Sequence, residues 1–383
     1  MSWSTRGVLA VCAVATMAAA VLPLSAGAAA GGRTTDAVVQ RGLEGLVRAP
    51  GGPVGAIATL YRDGRTTVLR AGRADAARLG APRLGDHMRL ASIAKAFSGA
   101  VVLHLAQAGR LGLNDTIGQR LPGAPAAWSA VTVREMLNHT SGLPDYTQSA
   151  GFRKQATTNP RGYVSPAAII DWVRNDRLVF TPGSRYEYSN TDNIVLAVIA
   201  ERVTHRSYGQ LLSALVFRPA RLTQTTFPAR RISLPAPFMH GYDVAPGRAP
   251  RDVTTLLSPS GAWASGAIVS TPADLGAFIR ADLGGRFFGA TQRRAQMRFV
   301  PGSSSPAGPG TNSAGLAIFR YATPCGTVYG HTGNFPGYVQ WAAATADGQR
   351  SVTTSLNIAA PTGSLLRQLR SVQASAVCAL LGK

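Results

Sequence analysis

The sequence predicts an α+β fold: one antiparallel sheet flanked by N- and C-terminal helices, with an all-helical lobe inserted between the two halves of the sheet. Three observations predict it. Strand-like residues gather at both ends of the 383-residue chain, and helix-like residues fill the middle. The strands come as hairpins, one flanking Asp63-Gly64 as a two-residue turn and the last two strands joined at Asp347-Gly348. The stretch from Ile93 to Ala108 is apolar on nearly every side, as a helix in the middle of a domain must be.

In chain order, residues 1–30 read as a secretory signal peptide. Arg6 is followed by an Ala/Val/Leu run to Leu24 and by small residues at Ala26-Gly-Ala28 or Ala28-Ala-Ala30. A helix is expected over Thr34–Val47, then a hairpin of Val54–Tyr61 and Thr66–Ala71. Gly109 ends the apolar helix as a C′ residue. Val131–Leu137, Pro166–Arg174, Asn193–Val203 and Tyr208–Val216 read as helices, and Ser270-Thr-Pro-Ala-Asp274 has the cap, proline and early acid of another helix start. After the Pro301–Gly310 loop, strands are expected at Gly315–Tyr321, Val328–Tyr329, Tyr338–Thr345 and Ser351–Asn357. An amphipathic helix, Ser364–Leu381, closes the chain. Residues 31–383 thus form one domain, its sheet lobe at about 34–90 plus 285–383 and its helical lobe at about 91–284.

The net charge of +21 raises the question of nucleic acid, but the arginines are scattered and no recognition motif interleaves them with aromatics. Anionic cell-envelope polymers are the expected counterpart outside a cell. Six histidines without an H-x-x-x-H pair, and no Gly-rich phosphate loop, predict neither a metal site nor a cofactor. No run of about 18 apolar residues follows the leader, so no membrane anchor is expected. Without Cys12 in the leader, Cys325 and Cys378 remain as an even pair in an oxidising compartment, expected to form a disulfide between the last strands and the final helix.

Three short motifs carry chemistry. Ser92 and Lys95, three apart, share a helix face, so a lysine of lowered pKa would be a base for the hydroxyl. The same spacing also describes a lysine that extends its amine to water. However, only Lys95, Lys154 and Lys383 are lysines among 39 basic residues, and arginine could not lose its proton. Tyr188-Ser-Asn190 offers a phenol as proton carrier and a carboxamide as substrate clamp, or a packed tyrosine and a helix cap. His331-Thr332-Gly333 offers a titratable ring, a hydroxyl and a close backbone approach, with the N–H of Asn334 able to polarise a carbonyl. Alone it equally describes a glycine-rich turn with a structural histidine.

In this order the three motifs resemble the serine beta-lactamase and penicillin-binding protein superfamily, within its class C beta-lactamase-like group. Asn138-His-Thr-Ser-Gly-Leu-Pro-Asp145, Pro182-Gly-Ser-Arg-Tyr-Glu-Tyr-Ser-Asn190 and Ala267-Ile-Val-Ser-Thr-Pro-Ala-Asp-Leu275 are similar to family segments, and the resemblance covers roughly 35–380. It makes His139 structural. Tyr188-Ser-Asn190 with His331-Thr-Gly333, and the Cys325–Cys378 pair, look most like the secreted D-alanyl-D-alanine carboxypeptidases of actinomycetes. The resemblance implies Ser92 as nucleophile, with Lys95, Tyr188 and His331 as catalytic partners. It implies Asn190, Thr332, Gly333 and Asn334 at the substrate, Thr332 near its carboxylate, with Arg320 as a helper there. Peptidoglycan stem peptides or small amides and esters are the implied substrates, and beta-lactams the covalent inhibitors. The same fold carries beta-lactamases, esterases and D-amino acid amidases, and a catalytically silent penicillin binder is the alternative of another class.

Overall fold

The computed structural model describes residues 26–383, so most of the expected leader lies outside the described residues. The fold is α+β, and its centre is a seven-stranded antiparallel sheet built from both chain ends. Helix α1 (Ala26–Arg48) leads into the hairpin β1 (Gly55–Arg62) and β2 (Arg65–Gly72), closed by Asp63 at φ 52° and Gly64 at φ 75°. The C-terminal part adds β3 (Thr311–Ala314), β4 (Phe319–Thr323), β5 (Gly326–Phe335), β6 (Tyr338–Ala344) and β7 (Ser351–Leu356). The spatial order is β2-β1-β7-β6-β5-β4-β3, which places the last strand beside the first.

The sheet is covered on both faces, so its central strands read as apolar runs instead of alternating. On one face Val339, Trp341 and Ala343 of β6 pack with Val352 and Leu356 under α1 and α5 (Gly363–Leu381). On the other, Tyr338, Ala342 and Ala344 join the core of the helical region. That core is organised by α2 (Ala94–Gln107), which is buried along almost its whole length and ends with Gly109 at φ 67°. Phe97 of α2 stacks on Phe278 of α4 (Pro272–Leu283) with ring centroids 3.5 Å apart, and α4 itself packs on β6 and β7.

The expected strand Gly315–Tyr321 holds only from Phe319, in β4, and Gly315–Ile318 is a reversal between β3 and β4. Gly315 N–H donates to the Ile318 carbonyl, Ala317 sits at φ 58°, and its methyl presses on Gly99 of α2. Its residues are apolar because the turn is buried, not because they pair. Helices Ala150–Thr158 and Ala290–Gln296 go beyond those expected, and the helix expected at Asn193 starts at Asn190. Cys325 and Cys378 are bonded, tying the β4–β5 turn to α5. Among the described residues no helix is long and apolar enough to cross a membrane, and no group of three or more His, Cys, Asp or Glu side chains could hold a metal.

Candidate active site

Ser92 lies in a single 3-10 turn, Ala91–Ile93, immediately before α2. Ala91 holds φ 51°, a left-handed conformation that costs about 1–3 kcal/mol for a residue with a Cβ and persists only where packing over-determines it. Ser92 borders a cavity of ≈ 350 Å³ between the helical region and the end of β5. Lys95, one turn on, is wholly buried beneath it.

The Lys95 amine has three polar neighbours: Ser92 Oγ at 3.2 Å, Asn190 Oδ1 at 2.7 Å and the Ser265 carbonyl at 3.0 Å. Two of them can only accept. An ammonium could donate to all three oxygens, and a neutral amine has two N–H groups for those acceptors and one lone pair for the serine O–H, so the geometry accommodates both forms. Burial favours the uncharged one: desolvation lowers the Lys95 pKa to about 7, against the opposing pull of Asp145 and Asp192. The Tyr188 ring lies 4.9 Å from the amine.

Asn190 opens α3 (Asn190–Thr204) and is fixed at both ends of its amide, since Nδ2 donates to Asp145 Oδ2 at 2.9 Å. Ser189 occupies the N-cap position, so Tyr188 and Asn190 stand at a loop-to-helix junction. The Tyr188 hydroxyl is buried beside Ser92, with no well-formed hydrogen bond to any partner. Desolvation raises its pKa well above the usual tyrosine value, and the Ser92 hydroxyl pulls the other way, so the phenol keeps its proton at neutral pH.

His139 donates or accepts at Asp192 Oδ2, 2.7 Å away, and its ring packs 4.4 Å from that of Tyr188. Burial disfavours the ionic form of both partners, lowering the His139 pKa to about 3 and raising that of Asp192. The pair buttresses Tyr188.

His331 is also wholly buried, and desolvation followed by the Lys95 charge lowers its pKa to about 3. Its Nδ1 meets the Thr332 carbonyl at 2.5 Å, which leaves Nε2 unpartnered, with the ring 6.5 Å from that of Tyr188. Gly333 is where the sheet touches the turn of Ser92: a Cβ there would lie 2.3 Å from the Leu90 carbonyl and 3.2 Å from Ala91 Cβ.

Beyond Gly330 the strand β5 loses its β4 neighbour and is paired on one side only, with β6. Antiparallel pairs alternate between hydrogen-bonded and non-bonded, and a two-residue turn is closed by a bonded pair. Counting from Phe335↔Tyr338, Asn334↔Val339 and Thr332↔Trp341 are non-bonded pairs. The N–H and C=O groups of Thr332 and Asn334 therefore point out of the open edge.

The cavity is lined by Ser92, Asn190 and Asn334 of the expected residues, with Lys95, Tyr188, His331 and Gly333 behind it. Thr332 stands apart. Its side chain shares the face of Trp341 and borders a second cleft of ≈ 310 Å³ together with Arg370 of α5; Asn334 borders both spaces. Arg320 does not border the second cleft: one of its nitrogens lies 3.2 Å from Ser313 Oγ, its guanidinium lies over the Phe299 ring, and its Nε is buried without a partner. Asp145, Ser265 and Arg370 were not singled out from sequence. Asp145 closes the Asn138–Asp145 segment noted for its resemblance, whereas Ser265 acts through a backbone carbonyl and leaves no signal.

Comparison with known proteins finds the same fold. Penicillin-binding protein 4* of Bacillus subtilis (strain 168) is 36% identical over 146 residues, 38% of this chain, and the matched part spans 31% of that protein. A D-stereospecific amidohydrolase from Streptomyces sp. superposes with a TM-score of 0.78 at 29% identity, over 88% of this chain and 98% of that one. The D-amino acid amidase from Ochrobactrum anthropi SV3 shares the fold, with a TM-score of 0.79 at 23% identity over 90% and 98% of the two chains. The family model described as Beta-lactamase matches residues 39–375, from α1 through the sheet and the helical region to α5, and the chain belongs to that family.

Proposed function

We propose that this chain, a serine hydrolase of the beta-lactamase and penicillin-binding protein family, is a D-alanyl-D-alanine carboxypeptidase that works through an acyl-enzyme on Ser92. The observation that carries the reading is the Lys95 amine: buried, with a pKa lowered to about 7, held by two acceptors and left with its lone pair for Ser92. Ser92 Oγ attacks the carbonyl carbon and its proton passes to Lys95. The oxyanion is received by the N–H groups of Ser92 and Asn334. Tyr188, a phenol that stays protonated, delivers a proton to the departing amine and is recharged through Lys95. Water then attacks the ester, releases the acid and restores Ser92. Neutral His331 presents Nε2 as an acceptor and adds no charge.

The carboxypeptidase assignment is supported by the second cleft. Thr332 Oγ1 and Arg370 Nε are buried there without hydrogen-bond partners, although Tyr321 lies near the threonine. A substrate running along the open edge of β5 would bring its terminal carboxylate to them. In this reading Arg370, which borders the cleft, takes the helper's part that the resemblance implied for Arg320. Export is supported by the Cys325–Cys378 bond.

A second reading, hydrolysis of small D-configured amides, is favoured by the likeness to the Streptomyces amidohydrolase along nearly its whole length. D-Ala release from a diacyl-D-Ala-D-Ala peptide, measured beside hydrolysis of a D-amino acid amide, separates the two. Ser92→Ala is expected to abolish covalent labelling by a fluorescent penicillin and both activities while leaving the fold intact. Labelling that survives in this variant would overturn the mechanism.

A further inference from the structure

The cavity in front of Ser92 is unlike the rest of this protein's surface. The chain carries a net charge of +21, yet no Asp, Glu, Lys, Arg or His side chain lines the cavity. Phe152, Val164, Leu257, Phe335 and Pro336 give it apolar walls, and its polar side chains, Gln155 among them, are all uncharged. The aromatic wall is braced: Phe152, Tyr146 and Trp172 pack against one another with ring centroids 5.7 to 6.2 Å apart.

The charged groups behind the walls are already committed. Asp145 receives Asn190 Nδ2 on one oxygen and the backbone and hydroxyl of Thr147 on the other. Arg89, whose guanidinium lies 5.2 Å from the Phe335 ring, donates to the carbonyls of Ile232 and Thr254. Lys95 faces Ser92. A charged group entering this space would lose water and find no free counter-charge, which is costly. An apolar group would be rewarded in proportion to its buried area.

We propose that this cavity is the subsite for the acyl group that is transferred to Ser92, and that it selects bulky, apolar and uncharged acyl groups over small or charged ones. The inference rests on Ser92 being the nucleophile. It narrows the substrate class, because a stem peptide that must place an ammonium or carboxylate here would be a poor donor. The residue before the scissile bond, or its N-acyl cap, would be neutral.

A series of p-nitrophenyl esters tests this with one leaving group and one variable: acetate, hexanoate, 6-(trimethylammonio)hexanoate and the monoester of adipate. Four extra methylenes, if buried, raise kcat/KM of the hexanoate over the acetate by about ten- to two-hundredfold. The cationic and anionic esters, matched in length, are expected to fall at least about a hundredfold below the hexanoate. Gln155→Glu places a carboxylate in the cavity and is expected to raise the cationic ester relative to the hexanoate by about tenfold or more. Because a ratio is read, a partly misfolded variant lowers both rates alike and leaves the comparison intact. Charged esters at parity with the hexanoate, or a ratio that Gln155→Glu does not move, would overturn the inference while leaving the nucleophile in place. If no ester is cleaved and Ser92 is not labelled, the reading of the nucleophile falls, and this inference with it.

Discussion

Asp145 offers a signed test of how Lys95 works. Its carboxylate reaches the lysine through the Asn190 amide, over hydrogen bonds of 2.9 and 2.7 Å. Across that amide the two charges stand roughly 6 Å apart, and at an effective dielectric constant of about 20 their attraction is about 2.8 kcal/mol, or about two pH units. Asp145 is the largest influence raising the Lys95 pKa against the burial that lowers it to about 7. Asp145→Asn keeps the side chain's size and removes the charge, so the protonated lysine loses its compensation and its pKa falls. Acylation needs the free amine, so the acidic limb of the pH profile should move from about 7 down by one to two units. The assay is the second-order rate of Ser92 acylation by a fluorescent penicillin across pH 4.5–9, with thermal melting as the check on folding. That rate reports ionisations of the free enzyme. The plateau falls if the Asn190 clamp loosens, so the position of the limb is the readout. A limb that stays put or moves up would refute the claim that it reports Lys95 under the influence of Asp145.

Lys95→Arg keeps the charge and cannot deliver a free amine, so its acylation rate is expected to drop nearly as far as that of Lys95→Ala, by about 10²–10⁴; retention of most activity would reduce Lys95 to an electrostatic fixture. Replacing Cys325 and Cys378 by serine opens a link across 53 residues and should lower unfolding stability by about 2–4 kcal/mol in denaturant titrations. Two free thiols in the unfolded, unreduced mature protein would contradict the bond. Penicillin should acylate Ser92 readily and leave slowly, because no Asp or Glu lines the cavity to activate water and the opened ring stays tethered over the ester. Rapid steady-state penicillin hydrolysis without D-Ala release would instead make the protein a beta-lactamase.

Much of this was legible without coordinates, wherever the deciding interactions are local. Asp63-Gly64 marks a hairpin turn because few other residues tolerate its two positive φ angles, and Gly348, at φ 69°, marks the longer turn between β6 and β7. The closing helix was bounded to within one residue, since its apolar stripe repeats with the helical period. Ser92 and Lys95 were read together because three residues make most of a turn. The even cysteine pair pointed to its own bond.

What lies far apart in the chain had to wait for the tertiary structure. Gly315–Ile318 reads as a strand because burial and pairing both call for apolar residues; only contact with Gly99 shows that it turns. Asn190, 95 residues from Lys95, and the Ser265 carbonyl, 170 residues away, decide how the amine is held. Its pKa depends on how completely water is excluded from that point, a property of packed neighbours and of no residue type. The direction of Thr332 follows from strand parity, but which face meets Ser92 and which meets Arg370 is set by the helices laid over the sheet. The uncharged cavity is assembled from separate segments, and the stretch around 146–164 carries Asp145, Arg153, Lys154 and Arg161 beside its lining residues. Their exclusion from the walls is a consequence of side-chain direction, which the fold as a whole decides.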